Sequence, residues 1–230
     1  MPYSAVIFDL FGTLIDDFAA SVGTLQEKMT DALPVNHERF NSLWNQTAEM
    51  RISGEFDSVQ ANIDYVCRAL NVRPEPSQMR RAIEIRMNSM RRALEPKPDA
   101  IQTLTGLKSQ RYKIGLVSNC SIEIALLWPE TPFSTLIDTP VFSCLARLTK
   151  PDARIFHLAL QGLGIAPESC LYVGDGEDRE LTAAAKVGLH PVLIRTASTH
   201  QQKGHSHQDA REWQGASIVS LSEVLQLVTC

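Results

Sequence analysis

Four polar clusters in this chain follow short apolar runs or sit in the loops between them, and their residue types suit one piece of chemistry. The first run, Ala5 to Phe8, leads into Asp9-Leu10-Phe11-Gly12-Thr13-Leu14. The second ends in Leu116-Val117-Ser118-Asn119, and a later loop offers Thr149-Lys150-Pro151-Asp152. A further run ends in Val173-Gly174-Asp175-Gly176-Glu177-Asp178-Arg179-Glu180. In an open parallel sheet the carboxyl ends of the strands face the ligand crevice, so Asp9 emerges where substrate would sit. A carboxylate there can attack an electrophile, and a lysine adds a compact positive charge. Hydroxyl and backbone N–H groups can hold the oxygens of an anion. A lone aspartate after a strand is as well suited to a turn, where Gly12 lets the backbone bend tightly. The ordered set of acid, hydroxyl, lysine and acid goes beyond that.

These clusters need a sheet to bring them together, and the apolar texture supplies one. Runs at Ala5 to Phe8, Ile114 to Val117, Pro140 to Phe142, Leu171 to Val173 and Pro191 to Ile194 predict buried strands. Helical stretches such as Ala100 to Gln110 and Ile155 to Leu163 separate the later runs, so an α/β fold with a doubly wound parallel sheet is expected. Between the first and second runs the apolar spacing is helical. Val22, Leu25, Met29 and Leu33 form one stripe, and Phe40, Leu43, Trp44, Thr47 and Met50 a second. Val59, Ile63, Val66 and Leu70 form a third, and Met79, Ile83, Met87, Met90 and Leu94 a fourth. Breaks at Pro34, Gly54, Pro74 to Pro76 and Pro96 to Pro98, with Asn36, Asp57 and Ser77 as N-caps, predict four helices over 17–95. The core is then 1–16 and 96–230. The polar stretch from Thr196 to Gly215 is expected to be a surface loop.

The four clusters in this order resemble the haloacid dehalogenase-like hydrolase superfamily, in the branch with a helical cap inserted after motif one. FDLFGTL resembles motif one, LVSN motif two, TKPDARIF the lysine motif and VGDGEDREL the acidic motif, over nearly the whole chain. Each motif alone is weak, and the set is specific. The resemblance implies a Rossmann-like core with a four-helix cap and a site in the cleft between them. It implies Asp9 as nucleophile, Lys150 as catalytic cation, and Thr13, Ser118 and Asn119 as substrate-binding residues. It also implies Mg²⁺ held by Asp9, the backbone carbonyl of Phe11 and Asp175, with Glu180 as supporting acid, as suits a hard cation that takes few carboxylates. The acidic residues would serve equally well as caps at the positive end of the following helix.

One departure matters. Phosphatases of that family usually carry a second aspartate two places after the nucleophile, as general acid and base, and here that place holds Phe11. Such a group is typically worth about 10² to 10⁴ in rate. An aromatic residue there resembles the family's 2-haloacid dehalogenases, whose halide needs no proton. Those enzymes work without metal, lack an acid at the place of Asp175, and carry a cap arginine where this chain has Asn45. The family's phosphonate hydrolases use a cap lysine, and Lys28 is poorly placed for that. The reading is therefore a Mg²⁺-dependent phosphohydrolase of a small phosphate ester acting through an aspartyl-phosphate. The alternatives are a metal-independent dehalogenase and a binding or regulatory member that has lost turnover.

Other residues rank lower. Arg51, just before Gly54, is the cap residue best placed to touch substrate. Arg80, Arg81, Arg86, Arg91 and Arg92 form a charged helix face expected to be solvated. His200, His205 and His207 lack a metal-ligand spacing. Gly162 and Gly164 mark a helix ending and not a dinucleotide loop, and Cys120 is expected to be a packed thiol. The chain has 230 residues, 44% hydrophobic and 21% charged, enough for a substantial core. A net charge of −4 argues against a nucleic-acid surface, and no apolar run approaches a membrane span. The five cysteines form no CxxC pair, and the first residues form no signal peptide. A cytoplasmic protein with reduced thiols and a small-molecule substrate is expected; oligomeric state is not legible.

Overall fold

The computed structural model describes residues 3–16, 28–195 and 208–229. Six strands form one parallel sheet in the order β3-β2-β1-β4-β5-β6. Along the chain come β1 (Ala5–Phe8), α1 (His37–Gln46), α2 (Ala48–Ile52), α3 (Val59–Ala69), α4 (Pro76–Ala93), α5 (Ala100–Ser109) and β2 (Lys113–Ser118). Then follow α6 (Ile122–Leu127), β3 (Thr139–Phe142), α7 (Ser143–Ala146), α8 (Ala153–Leu163), β4 (Cys170–Gly174) and α9 (Glu180–Val187). The last elements are β5 (His190–Ile194), α10 (Gln208–Glu212), β6 (Ser217–Ile218) and α11 (Val224–Leu227). The doubly wound α/β expectation therefore holds, with β1 at the centre.

Strand β1 is apolar throughout because both faces of the sheet are covered. Val6 and Phe8 join Leu104 and Leu107 of α5 on one face; Ala5 and Ile7 join Phe156 and Leu160 of α8 on the other. Phe8 stands in register with Leu116 of β2 and Val173 of β4. Asp9, Ser118 and Asp175 therefore all follow at the same edge of the sheet.

The chain leaves β1 through an antiparallel bridge between Ile15 and Pro96, where outgoing and returning segments lie side by side. Between them, α1 to α4 enclose their own apolar cluster, including Phe40, Trp44, Ile63, Val66 and Met79. The second stripe is split at Thr47, whose hydroxyl donates to the Trp44 carbonyl at 3.0 Å and ends α1. Asn36 caps α1 as expected, its Oδ1 accepting from Arg39 N–H at 3.0 Å. Two caps differ from expectation. Ser58, not Asp57, caps α3 by accepting from Ala61 N–H, and α4 starts at Pro76 behind Glu75, not at Ser77. Proline suits a first helical position, where its missing N–H is not needed. Val22 and Leu25 of the first stripe lie outside the described residues.

Other expectations need correction. β6 has two residues, too few to show a period in sequence. The expected loop from Thr196 to Gly215 contains α10, anchored because Asp209 accepts from Thr182 N–H at 2.8 Å and from its hydroxyl at 2.6 Å. His200, His205 and His207 lie outside the described residues. Gly164 ends α8 in the left-handed conformation. Cys67, Cys120, Cys144 and Cys170 are buried free thiols, and Cys230 lies outside the described residues. Among the described residues no helix is long and apolar enough to cross a membrane.

The arginine face of α4 is not uniformly solvated. Arg86 is 7% exposed and its Nε donates to Glu123 of α6, fully buried, at 2.6 Å. Arg91, on the same helix, pairs in the open with Glu130. Breaking a buried pair leaves one charge uncompensated at a cost of about 3–5 kcal/mol, whereas replacing both partners by apolar residues is often neutral. Glu123→Gln should therefore destabilise the protein by that order in urea denaturation, and Arg86→Met/Glu123→Leu should recover most of the loss. A double variant no more stable than the single one would contradict this account.

Candidate active site

Asp9 follows β1 directly, and its N–H donates to Val173 O at 2.9 Å, which fixes the end of the strand. Lys150 arrives from the loop before α8. Its Nζ donates to Asp9 Oδ1 at 2.5 Å and to Glu180 Oε2 at 2.6 Å, with all three side chains no more than 6% exposed. Tyr172 of β4 donates its hydroxyl to the same Glu180 oxygen at 2.7 Å, and Gly176 N–H donates to Glu180 Oε1 at 3.0 Å. Both oxygens of Glu180 are thus engaged in holding the lysine and the turn after β4. Asp175 accepts from Glu177 N–H at 3.1 Å.

Two glycines clear space for these carboxylates. Gly12 has φ +73°, and a Cβ there would fall 2.2 Å from Asp175 Oδ2. Gly174 lies so close to Glu180 that a Cβ would fall 2.0 Å from its Oε1. Carboxylate oxygens of Asp9, Asp175 and Glu180 consequently lie within 4.8 Å of one another.

The charges do not balance. Burial raises the Asp9 pKa, Lys150 opposes the rise and Asp175 adds to it. Burial likewise lifts Glu180 to about 8, against the pull of Lys150. Burial works to lower the Lys150 pKa, but Asp9 and Glu180 outweigh it and hold the ammonium charged well above its ordinary range. Among the described residues three buried carboxylates surround one buried ammonium, and burial drives two of them, Asp9 and Glu180, toward protonation. Hard oxygen donors with surplus negative charge are what a Mg²⁺ ion requires, so the donor set fits one.

The remaining expected residues fall into three groups. Thr13 and Ser118 are fully buried, and their hydroxyls have no hydrogen-bond partner among the described residues apart from the weakly bonding Cys120 thiol beside Ser118. Unpaired buried hydroxyls at the end of β2 and in the turn after β1 are suited to receiving ligand oxygens. Asn119 is spent on scaffolding. Its Oδ1 accepts from Lys150 N–H at 2.8 Å, and its Nδ2 donates to Lys150 O and to Asp178 Oδ2 at 3.1 and 2.8 Å. Arg51 is not brought to the carboxylate cluster. It donates to Trp44 O at 2.6 Å and Thr47 Oγ1 at 2.8 Å and stacks 4.3 Å from the Trp44 ring. Burial, with Arg86 adding, lowers its pKa to about 10. Phe11 is half-buried against the core, and its phenyl ring carries no acidic proton to offer a leaving group. Lys28 and Asn45 are exposed.

Sequence reasoning missed two residues. Tyr172 lies inside an apolar run that reads as core, and only the neighbouring helix start reveals a partner for its hydroxyl. Lys97 stands between two prolines where the chain returns to the sheet, and its ammonium donates to the carbonyl of Gly12. A lone lysine in a linker carries no spacing signal.

Known proteins share this fold and sequence pattern. A family model described as haloacid dehalogenase-like hydrolase matches residues 3–188. A glyceraldehyde 3-phosphate phosphatase of Methanothermobacter thermautotrophicus is 25% identical over 230 residues, covering 97% of each chain. The (S)-2-haloacid dehalogenase 4A of Burkholderia cepacia is 26% identical over 198 residues, covering 83% of this chain and 82% of that one. The solved structure of a HAD phosphatase from Thermococcus onnurineus superposes with a TM-score of 0.66 at 20% identity, covering 98% and 97% of the two chains.

The contact between Gly12 and Asp175 yields a direct test. Gly12→Ala forces both a strained left-handed alanine and a displaced carboxylate, at a cost of about 1–3 kcal/mol. We expect a lower Tm together with a loss of hydrolytic activity greater than tenfold. A variant that keeps wild-type Tm and rate would show that Asp175 is not held against this turn.

Proposed function

The chain belongs to the haloacid dehalogenase-like hydrolases, and from that premise we propose that it is a Mg²⁺-dependent phosphohydrolase of a small phosphorylated metabolite. In this reading 17–95 is the cap over a core formed by 1–16 and 96–230, and the cleft between them takes the substrate. The observation that carries it is Asp175, an acid held within reach of Asp9 and Glu180 where the dehalogenase branch has none. The phosphatase name of a relative spanning the whole chain supports the same reading.

Asp9 attacks phosphorus through a carboxylate oxygen, the leaving oxygen departs, and water later hydrolyses the aspartyl-phosphate. Lys150 orients Asp9 through the 2.5 Å contact and remains charged beside the phosphoryl oxygens. Glu180 and Tyr172 fix the Lys150 ammonium, and Asn119 fixes its backbone. The hydroxyls of Thr13 and Ser118 donate to phosphoryl oxygens, which gives both buried groups a partner. Asp9, Asp175 and the Phe11 carbonyl would hold Mg²⁺, whose charge would stabilise negative charge on the phosphoryl oxygens. Arg51, placed on the Trp44 ring, contacts the remote part of the substrate.

A second reading rests on Phe11. With an aromatic ring where an acid usually stands, Asp9 would attack carbon and expel halide with no proton needed, as the dehalogenase relative's name suggests. The two readings separate in one screen of phosphate esters, acyl phosphates and 2-haloacids, each with Mg²⁺ and with chelator. We expect phosphate release with Mg²⁺ only, and Asp9→Asn to abolish it while the fold persists. Turnover of 2-haloacids in chelator with every phosphate ignored would replace this reading by the second. A folded protein that binds phosphate analogues and turns over nothing would make it a binding member of the family.

Phe11 gives the sharper prediction. Lacking a positioned acid, the enzyme should favour aryl and acyl phosphates over alkyl phosphates, because a good leaving group needs no proton. Phe11→Asp should raise kcat/KM for alkyl phosphates by tenfold or more and flatten that dependence. Equal wild-type rates on alkyl and aryl phosphates, with chemistry limiting, would mean another residue donates the proton.

A further inference from the structure

The sharpest unassigned feature is a second ammonium beside the turn after β1. The returning segment Pro96-Lys97-Pro98 runs beside the outgoing chain, with Pro96 bridged to Ile15 and Lys97 N–H donating to Leu14 O at 2.9 Å. Its half-buried side chain reaches the carbonyl of Gly12. Gly12 is the residue whose Cα lies against the Asp175 carboxylate, close enough that a Cβ would overlap Oδ2. The ammonium therefore stands behind Asp175 with a single glycine between them. Burial lowers its pKa, and the carboxylates of Asp16, Asp175, Asp9 and Asp99, Asp16 foremost, act against that fall. Of these, Asp99 is already engaged by the Ser220 hydroxyl and Ser222 N–H, and Asp16 is exposed to solvent.

We propose that Lys97 is a built-in counter-cation of the Asp9–Asp175 pair, competing with a divalent ion for the field of those carboxylates and so setting the ion affinity of the site. The inference rests on the reading of Asp9 and Asp175 as the ion-holding pair. Lys150 divides its single positive charge between Asp9 and Glu180 through two direct contacts. Lys97 adds a second positive charge without occupying a ligand position, one of its N–H groups donating to the Gly12 carbonyl. A dication entering the site then meets a weaker negative field than it would without Lys97. A unit charge several ångströms from a dication, screened as in water, changes ion affinity by on the order of tenfold. A lysine suits this role better than an arginine, being a compact point charge on a flexible stem. The backbone contact of Lys97 with Leu14 does not depend on its side chain, so the fold tolerates its replacement.

The test is the affinity of the whole chain for Mn²⁺, measured as free Mn²⁺ by electron paramagnetic resonance, with Mg²⁺ as competitor. Lys97→Gln keeps a donor for the Gly12 carbonyl and removes the charge; Lys97→Met removes both; Lys97→Arg keeps the charge. We expect both neutral variants to bind Mn²⁺ about tenfold more tightly than the wild type, and Lys97→Arg to stay within about threefold of it. Asp175→Asn should bind none. Each variant is first matched to the wild type by circular dichroism, and Lys97→Gln stands alone should Lys97→Met not fold. Unchanged or weaker affinity in Lys97→Gln, with the wild type binding, would overturn the counter-cation role and leave the metal reading intact. No Mn²⁺ bound by the wild type or by folded Lys97→Gln would overturn both.

Discussion

One buried ammonium organises this molecule. Lys150 Nζ stands 2.5 Å from Asp9 and 2.6 Å from Glu180, joining the turn after β1 to the start of α9 from a loop that belongs to neither. A buried lysine is tolerable only when paired, and a buried carboxylate only when hydrogen-bonded, so each member depends on the others. The Tyr172 hydroxyl and the Asn119 amide complete the arrangement, one on Glu180 and the other on both sides of the Lys150 peptide. Asp9, Lys150 and Glu180 hold one another in place through this bridge.

The bridge leaves the site short of positive charge. Glu180 is pushed up to about 8 and Asp9 is raised as well, chiefly by burial. An Asp9 nucleophile needs its negative charge, so the site works best with another cation nearby. A divalent ion and Lys97 are two answers to the same electrostatic demand. Phe11 and Asp175 point toward different chemistries in the motif, but they act at different steps. In the proposed reaction Asp175 would bear on oxygen charge around the reacting centre, while Phe11 would bear on the proton for the leaving group.

A second electrostatic joint lies away from the carboxylates. Arg86 of α4 is buried against Glu123 of α6, which begins just beyond the Ser118-Asn119 turn, and the Arg86 and Arg51 guanidinium groups both lie over the Trp44 ring, at 5.2 and 4.3 Å. The helices of 37–93 are thereby tied to the sheet edge that carries the site. Shape alone would let the helical cluster slide over the core. A buried ion pair requires one registration, because misplacing it strands a charge in a dry environment.

Much of this was legible in the chain itself. Continuous apolar runs reveal strands covered on both faces, since no alternation survives when neither face meets water, and this determined the parallel sheet. Position at strand ends then determined which acids, hydroxyls and lysine could meet: Asp9, Ser118, Lys150, Asp175 and Glu180. Periodicity determined the helices, but not where α1 stops at Thr47 or which of two neighbouring residues caps α3, because those depend on single hydrogen bonds. Only the tertiary structure decided the roles of Asn119, Tyr172, Lys97 and Arg86. Asn119 turns from ligand to scaffold, Tyr172 acquires a polar partner inside a strand, and Arg86 is buried on a face that looks solvated. In each case the partner is distant in sequence or hidden by the strand's own apolar pattern, so no local spacing records it.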